Sequence, residues 1–222
     1  MEKDALICLA DAARSISISL GERELNLFSR YHDELVTWNK SMNLTALKSS
    51  SDITVKHFID SLTVAPFISD LHARLLDVGT GAGFPGIPLK IVLSSLKVHL
   101  LESSRKKISF LKEVIRLLSL EDAVTLHGRA EQISMESNYK NTFDIVISRA
   151  TYRLSYWLEI GSPFLKFQGL LIAMKGSKVK EEMEEAAATS ERVGLCLAGH
   201  HTLHLPLTGD IRNIMIYEKI RS

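Results

Sequence analysis

Cysteine is nearly absent from this chain of 222 residues. The two present, Cys8 and Cys196, lie far apart, which excludes a disulfide framework and matches no zinc-ligand spacing. No apolar run reaches the length of a membrane span. The N-terminus carries Glu2, Lys3 and Asp4 where a secretory leader would have an apolar core. These absences predict a reduced, cytoplasmic protein with no metal and no membrane. The sequon Asn43-Leu44-Thr45 has no meaning without secretion. A dominant charge is missing too: 27 basic against 26 acidic residues leave a formal net charge of +1. The chain is not a polycation, so any nucleic-acid site must be a local patch. There is no internal repeat, low-complexity tract or linker. The length suits one α/β domain with a modest extension and is too short for two full domains.

Residues 4–65 read as helical. Leu6, Leu9, Ala10 and Ala13 recur at helical spacing, and Ser19 with Glu22 fits a capping box for a second helix. In that helix Leu25, Phe28, Tyr31, Leu35 and Trp38 form a core stripe. A polar loop is expected over Trp38–Thr45, then a third helix over Ile53–Ala65 with His57 and Asp60 within one turn of each other. Residues 1–66 are thus expected to be a helical extension packed on a second unit, residues 67–222.

From Ala73 strands and helices alternate. Strands are expected at Arg74–Val78, Lys97–Leu101, Ala123–His127, Phe143–Ser148 and Leu170–Met174. Helices are expected at Pro85–Leu93, Ser104–Leu118, near Glu131, and at Leu154–Leu165. This alternation predicts a mostly parallel, doubly wound sheet. After a helix at Lys180–Arg192, two strands in succession, Leu195–Leu205 and Ile211–Lys219, make an antiparallel hairpin and a mixed seven-stranded sheet.

The informative stretch is Arg74-Leu75-Leu76-Asp77-Val78-Gly79-Thr80-Gly81-Ala82-Gly83-Phe84-Pro85-Gly86. A strand that breaks into a glycine turn and then a helix builds a nucleotide-sized cleft. Glycine count alone does not separate a dinucleotide from other adenosine ligands, since Gly81-x-Gly83-x-x-Gly86 also fits the dinucleotide fingerprint. Asp77, two positions before the first glycine, would repel a pyrophosphate and suits the ammonium of S-adenosylmethionine. Glu102, about 20 residues on, can accept the ribose hydroxyls of either ligand. Gly128-Arg129-Ala130-Glu131 can read an adenine edge, or simply start a helix.

After the fourth strand stands Ser148-Arg149-Ala150. The Asn/Asp-Pro-Pro-aromatic turn common in amine methylation is absent, and neither cysteine is near enough to attack a pyrimidine. A nucleophile with a free lone pair, such as guanine N7, fits what remains and needs positioning but no general base. Arg149 can hold a guanine edge, a phosphate or a carboxylate. The run Arg105-Lys106-Lys107 is either a solvated helix face or a contact for RNA phosphates, and Lys175 offers another cation at the cleft mouth.

Together these segments resemble the RsmG (GidB) family of bacterial small-subunit rRNA methyltransferases. The residues that carry the likeness are Tyr31…Trp38-Asn39, Asn43-Leu44-Thr45, His57 with Asp60-Ser61-Leu62, and the glycine motif with its Phe84-Pro85-Gly86 extension. It continues through Glu102-Ser103, Lys106-Lys107, Arg129-Ala130-Glu131, Ser148-Arg149-Ala150 and Lys175-Gly176. The resemblance implies a class I, Rossmann-like methyltransferase fold and S-adenosylmethionine as methyl donor. Its implied substrate is guanine N7 at position 527 of 16S rRNA, within the 30S subunit or an assembly intermediate, acted on by a monomer. Gly79, Phe84, Ala130, Glu131 and Arg149 then fall on cofactor-contacting positions, beside Asp77, Gly81 and Glu102 from the reasoning above. Arg149 becomes the positioning residue, and His57, Arg105, Lys106, Lys107 and Lys175 become candidate RNA contacts. Thr151-Tyr152-Arg153 departs from the family, which has small apolar residues there. An NAD-linked oxidoreductase would need a second domain with a hydride-transfer acid or base. A non-catalytic rRNA-binding or assembly factor would not need Asp77, the glycines and Glu102 together.

Overall fold

A computed structural model describes residues 1–47, 49–149 and 152–221. Ala150 and Thr151 of the sequence motifs lie outside the described residues. Strands β1 Arg74–Val78, β2 Lys97–Glu102, β3 Ala123–His127, β4 Phe143–Arg149, β5 Leu165–Lys175, β6 Leu195–His204 and β7 Ile211–Lys219 form one sheet. Its order is β3-β2-β1-β4-β5-β7-β6. β1 to β5 run parallel, and β7 is antiparallel to both β5 and β6. The expected mostly parallel, mixed seven-stranded sheet therefore forms among the described residues.

β1 has β2 on one side and β4 on the other, so the chain reverses its winding there. That reversal opens a crevice at the carboxyl ends of the strands. The central strands are apolar because both faces are covered. Leu75, Ile145 and Ile147 face a core shared with the N-terminal helices, while Leu76, Val146 and Trp157 belong to a second core on the opposite face.

Helices α1 Lys3–Ser15 and α2 Glu22–Met42 open the chain. The cap of α2 is not Ser19 with Glu22: Glu22 is already helical, and Oε2 of Glu24 accepts the N–H of Gly21 at 3.0 Å. The cap-to-carboxylate spacing of three residues is kept, two residues later than expected. Trp38 is helical as well, since α2 runs to Met42 and the turn begins at Asn43, which is left-handed at φ 50°. The indole stays on the helix because its N–H donates to Glu34 at 2.6 Å and its ring packs edge-on against Phe110.

The third helical segment starts earlier than expected, as α3 Ser50–Ile53, a π-helical stretch Thr54–Ile59 and α4 Asp60–Leu62, with a 3-10 turn at Ala65–Phe67. Beyond β1 come α5 Gly86–Val92, α6 Arg105–Leu118, α7 Ala130–Ile133, α8 Leu154–Gly161 and α9 Lys180–Arg192. α8 stops short of Leu165 because Pro163 lacks an N–H for an α-helical bond; a 3-10 turn follows, and Leu165 already begins β5.

Candidate functional site

The turn after β1 is built by bonds to the backbone and side chains of β1 and β2. The N–H groups of Gly79 and Thr80 donate to the Leu101 carbonyl of β2 at 2.9 and 3.2 Å. Gly79, Gly81 and Gly83 all have positive φ. Asp77 is fully buried, and its Oδ2 accepts the Thr80 hydroxyl at 2.6 Å and the N–H of Gly86 at 2.8 Å. Gly86 must be glycine here, since a Cβ would lie 2.5 Å from Leu100 and 2.9 Å from Asp77 Oδ2. Burial pushes the Asp77 carboxyl up to about 6, against the bonds from Thr80 and Gly86 that favour its ionised form.

A cavity of about 420 Å³ opens beside this turn, lined by Gly79, Glu102, Lys107, Ala130, Glu131 and Tyr152 among others. Glu102 ends β2 there with its carboxylate already tied: Oε2 accepts the N–H of Gly81 at 3.0 Å, and Oε1 that of Ser104 at 2.9 Å. Glu131 receives the hydroxyl of Tyr156. That bond holds its carboxyl below the usual range. Asp77 and Phe84 are not on this wall. Two larger cavities of about 610 Å³, one against the end of α2 and one between α9 and the β6–β7 hairpin, include no residue of the glycine turn.

On the other side lies a cavity of about 390 Å³ lined by Lys56, His57, Asp60, Arg149, Met174, Lys175, Gly176 and Arg212. Arg149, the last residue of β4, donates to the Lys56 carbonyl at 2.9 Å, to Asp60 Oδ2 at 3.3 Å and to Nδ1 of His57 at 3.0 Å. Its guanidinium sits 5.1 Å from the centre of the Phe84 ring, on which His57 also stacks at 4.3 Å. An arginine always donates, so Nδ1 of His57 must present its lone pair. The ring proton is then on Nε2, which meets the Thr45 hydroxyl oxygen at 2.7 Å. Burial and the Arg149 charge lower the His57 imidazole to about 3. His57 is therefore neutral and is not a phosphate-binding cation in this state.

The expected site residues thus divide into two groups. Gly79, Glu102, Ala130, Glu131 and Lys107 share the first cavity; His57, Arg149 and Lys175 share the second. Asp77, Gly81 and Phe84 build the turn between them. Lys175 is turned inward, donating to the Tyr152 carbonyl and to Glu182, the latter at 2.7 Å, while Arg105 and Lys106 are exposed on the first turn of α6. Sequence reasoning missed Tyr152 as a wall of the first cavity, although its departure from small apolar residues was visible. It noted Asp60 as a neighbour of His57 and as part of the family likeness without giving it a role, and it missed Arg212 entirely.

Two buried polar atoms beside these cavities have no partner among the described residues: Oδ1 of Asp77 and Oγ of Ser148. They stand on the adjacent strands β1 and β4, and a buried polar atom without a partner is an exception that calls for one.

Comparison with known proteins places the chain and its fold. The family model for rRNA small subunit methyltransferase G (GidB) matches residues 24–204. A ribosomal RNA small subunit methyltransferase G from Syntrophus aciditrophicus (strain SB) is 46% identical over 210 residues, 94% of this chain and 87% of that protein. Its namesake from Acetivibrio thermocellus is 41% identical over 96% of this chain and 88% of that one. Among solved structures, a SAM-dependent methyltransferase from Aquifex aeolicus superposes with a TM-score of 0.62 at 18% identity, covering 80% of this chain and 97% of its own. M. jannaschii TYW2 in complex with AdoMet gives 0.58 at 20% identity, over 73% of this chain and 76% of that one. These two likenesses establish the class I methyltransferase fold. Sequence identity over nearly the whole length establishes more: the chain belongs to the rRNA small subunit methyltransferase G family.

Proposed function

We propose that this chain transfers the methyl group of S-adenosylmethionine to N7 of a guanine in small-subunit ribosomal RNA, at position 527 of the 16S molecule. The observation that carries the reading is the cavity at the winding reversal, walled by Gly79, Glu102, Ala130 and Glu131, in a chain of this family. The residues present fit the donor. Glu102 uses one backbone N–H on each oxygen, and a carboxylate has about four lone-pair sites, so it retains capacity for ribose hydroxyls. Ala130 and Glu131 face the adenine end. Oδ1 of Asp77 is the acceptor left over for an ammonium.

S-adenosylmethionine supplies, when bound, a methyl group activated on a sulfonium. Guanine N7 already carries the lone pair that takes it, so the protein has only to align the two. A neutral His57 with both nitrogens engaged matches a reaction without a general base. Arg149, which the family likeness also puts on a cofactor-contacting position, is the positioning group between donor and target. Arg105, Lys106 and Lys107 meet RNA phosphates from the rim of the first cavity. The enzyme acts as a cytoplasmic monomer on the 30S particle or an assembly intermediate. A non-catalytic assembly factor and an NAD-linked oxidoreductase are not favoured.

The test is to map 7-methylguanine on rRNA from cells with and without the gene, and to repeat the transfer in vitro on naked 16S rRNA and on 30S subunits. Persistence of the modification without the gene would remove the assigned substrate. Binding of NAD in place of S-adenosylmethionine would remove the assigned donor.

A further inference from the structure

The C-terminal strand reaches the target side of the site through one side chain. Arg212, on β7, donates from Nε to Oδ1 of Asp60 at 3.0 Å. The other oxygen of Asp60 accepts Arg149 at 3.3 Å. Asp60 is buried, and its carboxylate is bridged between two guanidiniums from two strands that are not neighbours in the sheet. Burial raises the Asp60 carboxyl above its usual range, and the charges of Arg149 and Arg212 oppose that rise without cancelling it. An ionised Asp60 gives Arg149 a fixed anchor, and the Lys56 carbonyl and His57 Nδ1 complete the seat.

We propose that Arg212 is a positioning residue for methyl transfer: by holding Asp60 it fixes the Arg149 guanidinium over Phe84, at the mouth where the target guanine must enter. The inference rests on the functional reading above and gives the β6–β7 hairpin a task beyond closing the sheet. Arg212 touches no reacting atom and acts only through Asp60 and Arg149. Arg212 reaches only one oxygen of Asp60, through Nε, which leaves the other oxygen to Arg149; its always-charged guanidinium keeps that bond charge-assisted.

The test compares Arg212→Gln, Arg212→Lys, Arg149→Gln and the double variant Arg212→Gln/Arg149→Gln, in single-turnover transfer to small-subunit rRNA. Arg212→Gln should slow transfer about 10- to 100-fold, the cost of a misplaced catalytic group. Arg212→Lys, which keeps the charge near Asp60, should recover most of that loss. The double variant should be slower than Arg149→Gln by less than about threefold, because residues acting as one unit are not additive. Multiplicative losses, or a full-rate Arg212→Gln, would overturn the proposal. If Arg212→Gln does not fold, Arg212→Met, which keeps the length of the side chain without the donor, takes its place in the kinetic comparison and in the readout that follows.

An independent arm uses ¹⁵N NMR of His57, whose Nδ1 reports the Arg149 bond. Its signal should shift in Arg212→Gln and stay near the wild-type position in Arg212→Lys. An unmoved signal in Arg212→Gln, or one displaced in Arg212→Lys as far as in Arg149→Gln, would show that Arg149 does not depend on Arg212. If the wild-type chain transfers no methyl group, the functional reading fails, while this arm still settles the mechanical link.

Discussion

The backbone N–H of Gly81 donates to Oε2 of Glu102 across 3.0 Å, so the acid that ends one strand holds the glycine turn that follows its neighbour. Glu102 therefore shapes the turn, and in the proposed site it also faces the ligand. Glu102→Ala strands the N–H groups of Gly81 and Ser104. It should cost about 1–3 kcal/mol of stability, as buried donors without partners do. S-adenosylmethionine affinity should fall about tenfold or more, in keeping with loss of a charged hydrogen-bonding group. Urea unfolding and titration calorimetry measure the two effects. Wild-type affinity in Glu102→Ala would remove this residue from the ligand site.

Asp77 gives a pH-dependent prediction. Its folded-state carboxyl lies at about 6, raised by burial. The folded form thus keeps its proton to higher pH than the unfolded chain, where an aspartate titrates near 4. The contribution to stability is complete below about pH 4 and is lost as the pH rises through about 6. Asp77→Asn can still accept from Thr80 and Gly86 but has no ionisation to suffer. Relative to wild type it should gain stability between about pH 4 and pH 7, by up to about 3 kcal/mol. Thermal melts at the two pH values check the sign, and an unchanged difference between the two proteins would contradict it. The same variant should bind S-adenosylmethionine more weakly if Asp77 receives the ammonium, and equal affinity by calorimetry would refute that role.

Gly81 and Gly83 should respond differently to alanine. Both have positive φ, yet a Cβ on Gly81 finds its nearest atom 4.0 Å away, whereas one on Gly83 would sit 2.5 Å from Ile87 and 2.8 Å from the Tyr31 hydroxyl. Gly81→Ala should cost about 1–2 kcal/mol, the backbone strain alone. Gly83→Ala adds overpacking, about 1–3 kcal/mol beyond that. It also disturbs the Tyr31 bond to the Ala82 carbonyl. Equal denaturation midpoints for the two variants would show that the turn yields where the geometry says it is rigid.

Arg105 and Lys106 are exposed and make no part of the first cavity wall. Reversing both, in Arg105→Glu/Lys106→Glu, should leave S-adenosylmethionine binding unchanged, raise KM for rRNA about tenfold or more, and flatten the salt dependence of RNA binding. An unaltered KM would leave this run as a solvated helix face.

How much of this was legible beforehand follows from how local each signal is. The glycine turn could be read because a strand, closely spaced glycines and a helix are contiguous in the chain. Glu102 could be read because a parallel strand pair puts the end of β2 beside the end of β1 at a predictable distance in sequence. The strands were legible because both faces of the central sheet are covered, leaving near-continuous apolar runs. Helix edges were less so: the cap at Gly21 and the extension of α2 past Trp38 depend on particular bonds, and periodicity does not register those; the stop of α8 before Pro163 was there to be read.

By itself the sequence determined the alternation of strands and helices, the glycine turn after Asp77, and the chemistry available at the ends of β1 and β2. Only the tertiary structure decided that Arg149 meets His57 and Asp60 from more than eighty residues away, and that Arg212 closes that group from a further strand. No spacing rule links such positions, because their contact is set by how the antiparallel β7 and an N-terminal helical segment both come to the carboxyl ends of the parallel strands. It also decided that His57 is neutral, since an imidazole takes its proton state from its neighbours and not from its place in the chain.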